Sequence, residues 1–265
     1  MQSITRHLKV FFYLAKHSIQ RDLAYRLDFL SNLLSSLGWV NFTLILILVL
    51  SNNVESFGGW NQDQMLLLAG VWMINNGLAF FFFYRNIKQV VKDVVKGDLD
   101  FALLKPLDSQ FYVSFRRVIL NGLLGVIEGV IVIAYVLGRM EIVPSMEQLV
   151  RFLVLNGVGL MIYYSLWFFV AALSIHFVMV DNLFHTVPEV IQISKFPQSA
   201  YPKTLALLFT SVIPIIIMTT FPARELLGTQ SLGQFAYAIM VGVILVITTR
   251  KFWYWSLTRY SSASS

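Results

Sequence analysis

The residues able to do chemistry in this chain are Asn41, Asn75, Asn76 and Glu128, because each stands near the centre of a long run almost free of charge. A carboxylate at the centre of a hydrocarbon layer costs about 2.5 to 3.5 kcal/mol on insertion scales, so Glu128 must face protein or water, or be protonated. Amides at that depth find no partner in lipid either. Two roles fit the four: an interhelical hydrogen-bond cluster worth about 0.6 kcal/mol per bond, or a polar patch on a substrate path. His176 and Asp181, five residues apart, read first as an interfacial histidine with water or backbone partners.

The usual catalytic machinery is missing. No Gly-x-x-x-x-Gly-Lys-[Ser/Thr] cradle, Gly-x-Ser-x-Gly elbow or His-Glu-x-x-His pair occurs, so neither ATP hydrolysis by that machinery, an acyl-enzyme nor that zinc site is encoded. The absence of cysteine excludes disulfides, thiolate metal sites and thiol catalysis. No metal or cofactor is expected in this chain.

What must position the four polar residues is a set of membrane-crossing helices. Six stretches contain none or one of Lys, Arg, Asp and Glu: Phe29–Val54, Gln64–Tyr84, Val118–Gly138, Phe152–Val180, Thr204–Ala223 and Leu226–Thr249. A helix of about 20 apolar residues crosses about 30 Å of hydrocarbon, and it alone satisfies its own backbone there. A mean hydropathy of +0.69 and 57% hydrophobic residues exclude an ordinary soluble domain.

Orientation follows from the cations, which are retained on the cytoplasmic side. Residues 1–28 carry five, 85–117 seven, 181–203 two and the tail from Arg250 three, so the expected inner segments hold 17 of 20. The outer loops hold only Arg139, Arg151 and Arg224. Both termini are therefore expected to be cytoplasmic, in a cell membrane. The net charge of +6 is confined to membrane-flanking segments, where it serves topology and anionic headgroups rather than nucleic acid. The first 24 residues carry cations throughout and lack the apolar core of a secretory signal.

Residues 4–24 place Ile4, Leu8, Phe11, Ala15 and Leu23 in one sector at about 100° per residue, with Arg6, Lys9 and Lys16 opposite, which describes an interfacial amphipathic helix. Phe80 to Tyr84 before Arg85 read as an aromatic belt. The piece 85–117 opens as a basic amphipathic helix stopped at Gly97. A short helix follows, with Asp98 as its cap and Pro106 as its end. Its Leu99, Leu103 and Leu104 would be an apolar face in a cytoplasmic loop, which implies a partner protein or the membrane surface. Pro188, Pro197 and Pro202 break the segment after the fourth stretch, Pro214 should kink the fifth, and Phe221–Gly228 should dip back into the outer leaflet. Gly125 and Gly129 bracket Glu128 at GxxxG spacing, which allows close helix approach. No internal repeat is evident.

The N-terminal amphipathic helix, the six spans, Gly-Asp-Leu-Asp-Phe-Ala-Leu-Leu-Lys-Pro-Leu at Gly97–Leu107 and Ile-Pro-Ile-Ile-Ile-Met-Thr-Thr-Phe-Pro-Ala-Arg-Glu-Leu-Leu-Gly at Ile213–Gly228 together resemble the ABC-2 type permeases of ABC exporters, in a poorly characterised branch. The resemblance implies an all-α polytopic fold in one permease domain over residues 1–265, of the ABC-2 or type V exporter kind. It implies an interfacial helix at 4–24, a cytoplasmic coupling region at 86–106 and a re-entrant segment at about 222–232. It further implies a second permease copy or paralogue, and separate ATPase subunits that bind ATP and Mg. Asp98, Leu99, Asp100, Leu103, Leu104 and Pro106 would then contact the ATPase, and Asn41, Asn75, Asn76 and Glu128 would be candidates for the substrate path. A passive or ion-coupled carrier is the alternative, and a lipid-processing enzyme lacks a nucleophile or metal constellation. A pathway short of fixed charge points to amphipathic cargo.

Overall fold

The computed structural model describes residues 2–52, 56–177 and 180–260. Val54, at the end of the first apolar stretch, and Val178 and Met179, in the fourth, lie outside them. In chain order the helices are α1 (Gln2–Ala24), α2 (Arg26–Asn52), α3 (Gln62–Phe82), α4 (Tyr84–Lys96), α5 (Leu99–Leu103), α6 (Ser109–Phe115), α7 (Gly122–Arg139), α8 (Met146–Leu173), α9 (Val180–Gln192), α10 (Lys203–Leu207), α11 (Ile217–Leu226) and α12 (Leu232–Leu257). No strand occurs among the described residues, only an isolated bridge between Phe57 and Trp60. Five helices, α2, α3, α7, α8 and α12, are long and apolar enough to cross a bilayer.

α3 is the central helix, buried along most of its length from Met65 to Ala79. Its start is fixed by a capping box: Asn61 Oδ1 accepts from Gln64 N at 2.9 Å, and Gln64 Oε1 accepts from Asn61 N at 3.0 Å. The same device opens α8 at Ser145 with Gln148 and α12 at Ser231 with Gln234, satisfying amide donors that a helix start leaves unpaired. We call the end where α3 finishes and α4 to α6 gather the basic end, for the seven cations of residues 85–117. The capping boxes lie at the opposite end.

α7 returns beside α3 with backbone against backbone. A Cβ at Gly122 would stand 2.5 Å from Gly77 O, and one at Gly129 2.6 Å from Gly70 O. The GxxxG pair read from the sequence is thus part of a longer glycine stripe, Gly122, Gly125 and Gly129, facing Gly70 and Gly77. α12 lies on the other side of α8, with the Phe168 and Trp253 rings 5.0 Å apart edge to face. α2 packs on α3 and α7 and turns Leu34, Phe42, Ile45 and Val49 outward, as a lipid-facing helix does.

The fifth crossing corrects the sequence reading, which puts residues 181–203 in a loop and the crossing at Thr204–Ala223. Pro188 and Glu189 of α9 border a space with Phe80 and Tyr84 near the basic end. Two 3₁₀ turns, Ile193–Lys195 and Gln198–Ala200, carry the chain on to the opposite end, where Ser199 Oγ donates to Gly58 O just ahead of α3. The prolines fragment this crossing without abolishing it.

α10, prolonged by a wide π turn (Leu208–Val212), then descends, and α11 climbs back, the two limbs meeting at 98°. The bottom lies near Asn75, which reaches Met218 O, and the returning end meets Gln148, whose Nε2 donates to Glu225 O at 3.4 Å. The limbs therefore enter and leave at one end, as a re-entrant pair over 203–226 that starts earlier than the expected 222–232 and shares residues 222–226 with it. Pro214 explains the bend, since Ile213 before it is forced to φ −119°, ψ 81°, outside the helical region. Lys195 and Lys203 consequently leave the basic end, which keeps 15 of the 20 cations.

Candidate functional site

Of the four mid-depth residues, the fold buries Asn75 fully, at 1% exposure. Its Nδ2 lies 2.9 Å from Asn156 Oδ1, 3.1 Å from Met218 O and 3.3 Å from Val71 O. The contact to Met218 has a specific cause. Pro222, four residues on inside α11, has no N–H to give that carbonyl, and Asn75 supplies the missing donor. Gly159 leaves the room, since a Cβ there would sit 2.7 Å from Asn75 Oδ1. Asn76, the next residue, faces elsewhere and accepts from Tyr163 Oη at 3.0 Å.

Asn41 and Glu128 do not join them. Asn41 is exposed on α2 and bonds back to Leu37 O of its own helix at 2.8 Å. Glu128 is half-buried on α7, and its Oε2 is buried with no hydrogen-bond partner among the described residues. The single polar layer expected from the sequence is corrected to one buried knot around Asn75, with Asn76, Asn41 and Glu128 each lying apart from it. Depth is legible in a sequence, but azimuth is not: the glycine stripe turns Gly125 and Gly129 to α3, and Glu128, one residue before Gly129, is rotated about 100° away.

Asn76 borders a groove of about 350 Å³ between α2, α3 and α7, with Ser36, Trp39, Gly77, Phe80 and Gly125 among its walls. Beyond it, at the turn that follows α9, Lys195 is buried, and the sequence reading missed it by placing it in a loop. Its Nζ lies 4.3 Å from the Trp72 ring centre, 5.6 Å from that of Trp39 and 3.3 Å from Thr43 Oγ1. Two indole faces thus stand in for a carboxylate. The signal available in the sequence was two tryptophans at the depth of an otherwise unexplained lysine.

At the basic end α4, α5 and α6 form a short hairpin. Gly97 closes α4 in the left-handed conformation, φ 77°, as its position suggested. Asp98 does precede α5, but it is itself helical and makes no side-chain cap bond, which corrects the expected capping. The apolar face is also revised. Leu99, at 0% exposure, and Ala102 pack inward with Val94 and Val113, and Leu103 is half-buried against the same cluster. Residues three apart share a helix face, so Phe101 and Leu104 are left outward, 69% and 79% exposed. Asp100 is half-buried, and Pro106 ends the turn with its carbonyl accepting from Arg6 Nη2 of α1 at 2.9 Å.

The hairpin is tied to the helices that cross the membrane. Asn86 Nδ2 reaches Ser114 O at 2.9 Å and Arg117 O at 2.7 Å, and Arg116 pairs with Asp93 at 2.7 Å in a largely buried bridge. Asp108 caps α6 through Phe111 N and accepts from Arg250 Nη2 and Tyr254 Oη of α12, each at 2.7 Å. Burial pushes the Asp108 carboxyl up, but the bonds from Arg250, Phe111 N–H and Tyr254 outweigh it and hold the group below its usual range. Tyr164 of α8 bonds Gln110 at 3.0 Å and Ser114 at 2.9 Å. Of the expected aromatic belt, Phe80 remains exposed, while Phe83 and Tyr84 turn inward against Tyr164 and Trp167. α1 completes the assembly: Phe11 packs on Phe82 and Phe115, and Leu8 and Phe12 stay exposed as an interfacial face would. His176 bonds Ser256 Oγ at 3.0 Å, and the side chain of Asp181 lies outside those described.

No curated protein and no solved structure matches this chain. A family model described as ABC-2 family transporter protein matches residues 37–264. That match spans both motifs, Gly97–Leu107 and Ile213–Gly228, the whole of α3, α7, α8 and α12, and α2 from residue 37 on. The chain belongs to the ABC-2 family of transporters, as a multi-pass permease that is a membrane subunit and not itself the catalyst.

Proposed function

We propose that this chain forms the translocation path of an ATP-driven exporter in the cell membrane, working with a second permease, a copy or a paralogue, and with separate ATPase subunits that bind ATP and Mg. The basic end is cytoplasmic, and both terminal helices finish there. The observation that carries this reading is the outward Phe101–Leu104 face of α5 on a hairpin bonded to α1, α8 and α12. An apolar face of this kind at the basic end fits a docked protein. The bonds to α12 and α8 let a push on α5 reach the membrane helices without first deforming the hairpin. Substrate would move past Asn76 and the α2–α3–α7 groove, with Glu128 of α7 as a further candidate on the path.

The test is to tag this chain, purify it from its native membrane and identify the proteins that remain bound. A Walker-motif ATPase present in stoichiometric amount, with ATP hydrolysis that rises when the complex is reconstituted with cargo, supports the reading. The ion-coupled carrier is favoured by the buried, unpartnered Oε2 of Glu128. Ion-gradient-driven flux by the chain alone would decide for it.

A further inference from the structure

At the basic end, between α1, α2 and the segment entering α7, lies a recess of about 310 Å³ bordered by Arg21, Arg85 and Arg117, with Asp22 as the one acid among the described side chains that line it. Asp22 is engaged by Arg21 at 3.3 Å. Arg85 and Arg117 have no ion pair or hydrogen bond from their side chains among the described residues, so neither is neutralised by a direct partner, Asp93 acting on Arg117 only through its field. The neighbouring groove of about 350 Å³ shares Asn32, Arg85, Ile119 and Asn121 with it and then runs along α3 between Trp39, Phe80 and the glycines 77, 122 and 125. The two spaces are one cleft, cationic where α3 leaves the membrane and mostly apolar further in.

We propose that this cleft binds an amphiphile with a phosphate-bearing anionic headgroup, the phosphate held by Arg85 and Arg117 and the hydrocarbon chain laid along Trp39, Phe80 and the glycine stripe. Guanidinium forks match phosphate oxygens in pairs. Basic pockets between membrane helices at the cytoplasmic surface are suited to anionic headgroups. Gly77, Gly122 and Gly125 border the groove while their Cβ directions are taken up by the α3–α7 contact, so none of them puts a side chain in the path of a hydrocarbon chain. Partial burial disfavours the charge on Arg117 most, and the fields of Arg21, Arg116 and Arg85 add to this; since arginine stays protonated, a bound anion relieves that repulsion. A free phosphate would use only the outer half of the cleft. The inner half of this cleft is the groove that the transport reading gives to substrate, so the proposal deepens that reading, but binding needs neither a partner nor ATP and its failure is distinguishable from the failure of transport.

The test is equilibrium binding to the purified full chain in detergent, read by native mass spectrometry. The probes are lysophosphatidic acid, lysophosphatidylcholine and inorganic phosphate. We expect lysophosphatidic acid to bind at least tenfold tighter than either of the others. Each cation near the headgroup plane contributes about fivefold, so Arg85→Gln with Arg117→Gln should weaken that binding about thirtyfold. Both arginines are exposed, and an unchanged melting curve would show that the fold is kept. Ser36→Phe, which fills the groove and leaves the arginines, should weaken lysophosphatidic acid but not phosphate. Equal binding to the double arginine variant would overturn the site, and inorganic phosphate binding as tightly as lysophosphatidic acid would overturn the amphiphile.

Discussion

Replacing Gly77 by alanine probes whether α3 and α7 are held by direct backbone contact. The new Cβ would stand 2.6 Å from Gly122 O and 2.8 Å from Val126 N, where 3.4 Å is the near edge of an ordinary contact, so the helices must part by about 0.8 Å. Both atoms are backbone and cannot rotate aside. Overpacking of this kind costs about 1 to 3 kcal/mol, and the gain from a less flexible unfolded chain, about 0.4 to 1 kcal/mol, offsets only part of it. We expect Gly77→Ala to lose about 1 to 2 kcal/mol in equilibrium unfolding with a denaturing detergent. Gly138→Ala and Gly157→Ala, where a Cβ meets nothing within 4 Å, should be neutral or slightly stabilised. Gly122→Ala opens the same contact, so the double variant should cost less than the sum of the singles. Gly77→Ala as stable as Gly138→Ala would refute the packing argument.

Asn75→Ala leaves Met218 O and Asn156 Oδ1 without their donor, at about 1 to 3 kcal/mol for each buried orphan, and the same unfolding measurement should record a loss of at least about 2 kcal/mol; a loss under about 0.5 kcal/mol would mean the bridge does not form. Asp108 has a folded pKa below its unfolded one, so its bonds add stability above about pH 4 and lose it as pH falls through the folded value. Hydrogen exchange in α6 should therefore quicken on acidification, and Asp108→Asn should remove that pH dependence; an unchanged acid limb would sink the assignment. Glu128→Gln keeps shape and removes charge, so expression and assembly should persist while cargo-stimulated ATP hydrolysis falls, and wild-type activity in that variant would return Glu128 to a packing role.

Much of the fold was legible because hydropathy and cation placement act on whole segments. The spans α2, α3, α7, α8 and α12 overlap the apolar stretches, and Gly97 stops α4 as its position indicated. The fifth crossing was hidden because Pro188 and Pro197 read as loop signals, whereas packed neighbours can satisfy a broken helix inside a bundle. Rotation about the helix axis was hidden as well. It separates Glu128 from the Asn75 knot and turns Leu99 inward while leaving Phe101 outward. The recess at Arg85 and Arg117 was out of reach because it joins α1, α2, α4 and the segment entering α7, which are remote in the chain.

The central proposal is that α5 is the point where a separate ATPase engages the permease, and Phe101→Asp with Leu104→Asp addresses it most directly. Both side chains point away from the protein's own core, at 69% and 79% exposure, so folding should be preserved. An unpaired carboxylate buried in a protein contact costs several kcal/mol, about a hundredfold or more in affinity. The measurement is retention of the ATPase subunit on the tagged permease, together with ATP hydrolysis of the pair in nanodiscs. We expect the double variant to purify as a folded permease stripped of its ATPase, with coupling lost. Full retention and unchanged coupled hydrolysis would contradict the placement of the ATPase on α5.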